Sequence, residues 1–80
     1  MTKTEMKEQA IKILYCRPET IEEIEVPDVR AVYFRDVTRG GGALIISEIG
    51  EMLFFDPFYV DFDEHVKRFT SGERTHFEDI

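Results

Sequence analysis

The sequence predicts an α+β domain: an N-terminal helix, a three-stranded antiparallel meander and a C-terminal helix, with the tail as an extra edge strand or a loose end. Two capping signatures, Thr2 with Glu5 and Asp61 with Glu64, each stand before an apolar stripe of helical spacing. Between them, β-branched and aromatic residues run in blocks punctuated by glycine. Strands gathered between two helices, not alternating with them, mark α+β architecture, and 80 residues fill one domain, residues 1–80.

The first helix begins at the Thr2/Glu5 box. Met1 and Met6 flank it as a hydrophobic staple, and Met6, Ala10, Ile13 and Leu14 continue as one stripe. Glu8 and Lys12 add an i,i+4 pair worth about 0.3 kcal/mol. Pro18 disfavours helical geometry at Arg17, so the helix closes near Tyr15 or Cys16. Residues 19–28 give conflicting signals: Thr20 and Glu23 repeat the capping pattern, whereas Ile24, Glu25 and Val26 alternate like a strand. The reading adopted is a short helical turn.

Residues 29–37 form the first strand, carried by Val29, Val32, Tyr33, Phe34 and Val37. The run from Arg39 to Gly42 breaks it, because consecutive glycines cost too much entropy inside a regular element. Residues 43–49 and 52–55 then form a hairpin about a turn at Gly50 and Glu51. Asp56 and Pro57 end the sheet. A second helix starts at Phe62, with Phe62, Val66 and Phe69 on one face, acids Asp63 and Glu64 at its start, bases Lys67 and Arg68 at its end, and Gly72 as the stop. Residues 73–80 alternate weakly through Thr75 and Phe77. The two helices are expected on one face of the meander. The hairpin nevertheless carries bulky groups on both faces, among them Leu44, Ile45, Ile46, Leu53, Phe54 and Phe55. Covering both requires a helix on each side or a second chain.

Seventeen acids against ten bases give a net charge of −7, which repels nucleic acid phosphates and anionic lipid. Seven of those acids, against three bases, lie between Asp56 and Ile80. The expectation is therefore no nucleic acid and no membrane partner, in a protein of the cytoplasm: the N-terminus mixes charges of both signs, unlike a secretory leader, and the lone Cys16 has no internal disulfide partner.

Candidate chemistry is sparse, and neither catalysis nor a cofactor is expected. A thiol nucleophile needs a histidine beside it. Cys16 lies at a helix C-terminus, where the peptide dipoles raise a thiol pKa. Asp61, Asp63, Glu64 and His65 lack the glycine and the spaced oxygens of a calcium loop, and His65 and His76 have no second soft ligand pair for zinc. The glycines after Arg39 invite an anion reading, yet they lead into a strand where phosphate loops lead into a helix.

What remains is an interaction surface. Phe54, Phe55, Phe58, Tyr59 and Phe62 place five aromatics within nine positions; Phe54 and Phe62, like Phe69, are assigned to the core. Phe58 and Tyr59, after Pro57, are the exposed pair. With Phe55, Asp56, Asp61 and Asp63 they make an apolar centre with a negative rim, suited to a basic partner. The function expected is a small acidic, non-enzymatic protein-interaction module that self-associates, most simply as a homodimer. The alternatives are an immunity-type inhibitor of a basic enzyme, and a small ligand-binding protein or enzyme using Arg39, Cys16, His65 or His76.

Overall fold

The computed structural model describes residues 1–38 and 40–76. Helix α1 (Lys3–Leu14) starts as expected: the Thr2 hydroxyl accepts from the Glu5 amide at 3.2 Å, and the Glu5 carboxylate accepts from the Thr2 amide at 2.9 Å. It stops at Tyr15, which takes a left-handed conformation at φ 53°.

The sheet has four antiparallel strands in meander order: β1 (Ile21–Val26), β2 (Ala31–Asp36), β3 (Ala43–Ser47) and β4 (Met52–Phe55). The strand additional to the expected three is β1. Ile21–Val26 therefore corrects the helical turn read over residues 19–28. The apparent cap at Thr20 belongs to a single 3-10 turn, Pro18–Thr20, after which Ile24 and Val26 pair directly with Tyr33 and Ala31 of β2. The tail's described part, residues 73–76, is not a strand, but it does lie along a sheet edge. The Thr75 amide donates to the Met52 carbonyl at 2.8 Å, and its hydroxyl accepts from the Phe54 amide at 3.1 Å.

Helix α2 (Phe62–Thr70) is capped by Asp61, whose carboxylate accepts from the Glu64 amide at 2.9 Å. Beyond its end Gly72 sits at φ 106°. Arg74 finishes the closure: it donates to the Phe69 carbonyl at 2.7 Å and lays its guanidinium 3.8 Å over the Phe69 ring.

The helices lie on opposite faces of the sheet, not on one. Met6 and Ala10 of α1 bury against Val32, Phe34, Leu44 and Ile46. Phe69 of α2 joins Tyr33, Ile45 and Leu53 on the other side, with Phe62 and Val66 packed against them. Because side chains alternate along a strand, the consecutive apolar residues of β2 and β3 feed both cores. The surplus apolar face that called for a second chain is thus covered within the chain. Among the described residues no helix is long and apolar enough to cross a membrane.

Candidate functional site

The β4–α2 connection, residues 56–61, is built to hold two aromatics outside. The Asp56 carboxylate accepts from the Phe58 amide at 2.9 Å, and the Asp56 carbonyl accepts from Tyr59 at 3.0 Å and Val60 at 3.1 Å. Pro57 fixes φ between them. The turn leaves Phe58 85% and Tyr59 80% exposed, their rings edge to face at 5.0 Å. A chain that has buried Phe34 and Phe69 completely or nearly so leaves this pair in water.

Across a groove of about 570 Å³ stands the β2–β3 connection, contributing Val37, Thr38, Gly40 and Gly41. Val37 is itself 52% exposed and extends the apolar surface. This second wall is ordered by Asp36, whose carboxylate accepts from the Thr38 hydroxyl at 2.7 Å and its amide at 3.0 Å. Those bonds hold the Asp36 carboxyl below the usual aspartate range. Gly41 lies so close to Asp36 that a Cβ would stand 2.5 Å from the Asp36 carbonyl oxygen.

The six residues expected at the surface separate. Asp56, Phe58 and Tyr59 share the turn. Asp61 and Asp63 are exposed at the start of α2, Asp61 also serving as its cap. Phe55 is drawn to the α2 face, where its ring lies 5.1 Å from that of His65 under the Arg68 guanidinium. Of the aromatics assigned to the core, Phe69 and Phe62 pack there, whereas Phe54 is 38% exposed and covers Gly42. The sequence reading missed the Val37–Thr38 wall; its signal was a β-branched residue placed past the end of a strand and before glycines.

The groups considered for chemistry do not assemble. Cys16 follows α1, and burial first, then Asp36, pushes its thiol up from the ordinary range. His65 is on α2, across the sheet, fully buried, with Nε2 2.7 Å from the Leu53 carbonyl oxygen and no partner for Nδ1. Among the described residues no three His, Cys, Asp or Glu side chains converge as metal ligands. Within the glycine run the Gly41 amide is committed to the Thr38 carbonyl at 3.0 Å, and the Gly42 carbonyl accepts from the Asp36 amide, closing the hairpin. Arg39 lies outside the described residues, as do residues 77–80.

No protein-family model matches the chain, and no curated protein and no solved structure matches it significantly.

Proposed function

We propose that this domain is a protein-interaction module whose contact centre is the Phe58–Tyr59 pair. The observation that carries the reading is the turn at Asp56 and Pro57, where one hydrogen bond to the Asp56 carboxylate and two to its carbonyl hold two large aromatics in water. Burying each ring against a partner is worth roughly 1.5–3 kcal/mol, and an aromatic with two rotatable bonds loses little entropy on docking. Asp56 in the same turn, in a chain of net charge −7, favours a partner with an apolar knob inside a basic rim.

Self-association is a form of this reading only if the same end is used, since a helix already covers each sheet face. Static light scattering at micromolar concentration, on the natural chain and on Phe58→Ser with Tyr59→Ser, separates the cases. A dimer lost in the variant makes a second copy the partner. A monomer in both directs the search to another protein, by capture from source lysate at low and high salt. Capture that is indifferent to the double substitution and to salt would remove the reading.

A further inference from the structure

A second, separate surface lies along the outer edge of β1. Register fixes which main-chain groups point outward there. The Val37 amide bonds to the Thr20 carbonyl, so Thr20 and, two by two along the strand, Glu22, Ile24 and Val26 turn their main chains toward β2. The amide and carbonyl groups of Glu23 and Glu25, and the carbonyl of Ile21, therefore face away from the sheet. The same phase at the opposite edge turns Met52 and Phe54 outward, and there Thr75 takes up the Met52 carbonyl and the Phe54 amide. One edge is closed by the chain itself. Among the described residues nothing closes the other.

The open edge is strongly acidic. Residues 19–28 hold Glu19, Glu22, Glu23, Glu25 and Asp28 and no base. Lys3 is shared between Glu25, which it contacts directly, and Glu23 at 3.8 Å, and Arg35 reaches Glu22 at 3.2 Å. Among the described residues these ion pairs reach Glu22, Glu23 and Glu25, with one lysine divided between the last two. Such charges deter edge-to-edge pairing with like chains. For a second copy the deterrence is specific: residues with outward main chains must stand opposite one another. The antiparallel β1–β1 registers of three or more pairs accordingly set Glu23 against Glu23, Glu23 against Glu25, Glu22 against Glu22, or Glu25 against Glu25. An added strand with opposite charge turns each repulsion into attraction.

We infer that β1 accepts a fifth strand from a basic, extended segment of another protein, one in which lysine or arginine alternates with apolar residues. Glu23 and Glu25 share the α1 face of the sheet with Val32 and Phe34, and Ile24 and Val26 share the α2 face with Tyr33 and Ala31. The bases of the incoming strand lie on the α1 face, beside the two glutamates that share one lysine. Its apolar residues lie on the α2 face beside Ile24 and Val26. Main-chain bonds supply the affinity and the alternation supplies the selectivity.

The probe is a short acetylated and amidated peptide alternating lysine and valine, titrated into the natural chain while amide hydrogen exchange is followed by NMR. Exchange at Glu23 and Glu25 is expected to slow by roughly tenfold or more. Peptides alternating glutamate and valine, or methylated on the main-chain nitrogens of the lysines, which face β1 in this pairing, should leave it unchanged. Glu23→Lys with Glu25→Lys should exchange the preference toward the glutamate peptide, and the milder Glu25→Gln should weaken lysine-peptide binding without reversing it. Phe58→Ser with Tyr59→Ser should keep the effect, because that surface is a different one. Equal protection by the methylated peptide, protection that appears without peptide as the chain is concentrated, or no protection at either glutamate would overturn the inference.

Discussion

Acidification should destabilise this domain through one side chain, His65. The ring is fully buried between Tyr33 and Phe55, with ring centroids 5.4 and 5.1 Å away, and it bonds the Leu53 carbonyl through Nε2. Burial disfavours the imidazolium and lowers the folded-state pKa below the ordinary histidine value; the Leu53 carbonyl opposes that only in part. Its titratable neighbour Tyr33 stays neutral, since burial raises the phenol. Above about pH 6.5 the ring is neutral in both folded and unfolded chains. Below that, the unfolded chain takes up the proton first, and stability falls by at most about 1.4 kcal/mol per pH unit until the folded pKa is reached. Between pH 6.5 and 5 the loss is at most about 2 kcal/mol, roughly 8–16 °C in Tm for a domain of this size. Asp36 and Glu25, whose carboxyls are held below their usual range, add their contributions only at lower pH. Thermal melts monitored by circular dichroism from pH 8 to 5 measure the slope. His65→Gln, which keeps an N–H donor and cannot titrate, should melt lower at pH 8 and show a flat profile over this window. Equal slopes in the two proteins, or an NMR titration placing the His65 ring at or above the ordinary value, would rule out a buried neutral His65 as the source of the acid sensitivity.

Two phenylalanines of the same chemistry should behave oppositely: Phe34→Ala, fully buried under α1, should cost about 3–5 kcal/mol in urea unfolding, whereas Phe58→Ala should stay within about 0.5 kcal/mol of the natural chain. Gly41→Ala should cost about 1–3 kcal/mol, because its Cβ meets the Asp36 main chain, which cannot swing aside. Gly40→Ala, in open space but at φ 80°, should cost about 1 kcal/mol. Asp61→Ala should remove the α2 cap for about 1 kcal/mol, with hydrogen exchange rising first at Glu64.

The elements written in local chemistry were legible. Thr2 with Glu5 and Asp61 with Glu64 are short-range signals, satisfied within one turn, and both helices begin where those residues stand. β1 was not legible, because its glutamates disfavour strand and mimic a cap, and only pairing with β2, from Val26–Ala31 out to Ile21–Asp36, makes it one. The side on which each helix packs is likewise a long-range property. Both helices carry an apolar stripe, and neither stripe says which face it will meet; the hint lay in β3, whose apolar residues occupy both faces and so needed two covers. At the candidate surface, Phe58 and Tyr59 could be read as exposed because Pro57 and Asp56 force a turn before them. Phe55, a single position before Asp56, alternates to the α2 face and joins His65 instead. The facing wall at Val37 and Thr38 had only a faint local signal, a β-branched residue just before the glycines; strand pairing brings it opposite the aromatic turn.

The role assigned to the Phe58–Tyr59 end is tested most directly by placing a photo-crosslinking benzoylphenylalanine at position 58 in the source cells, with the same residue at exposed position 8 on α1 as control. A discrete protein adduct is expected at position 58 and not at position 8. Identical adduct patterns at the two positions, or none at position 58, would contradict that role.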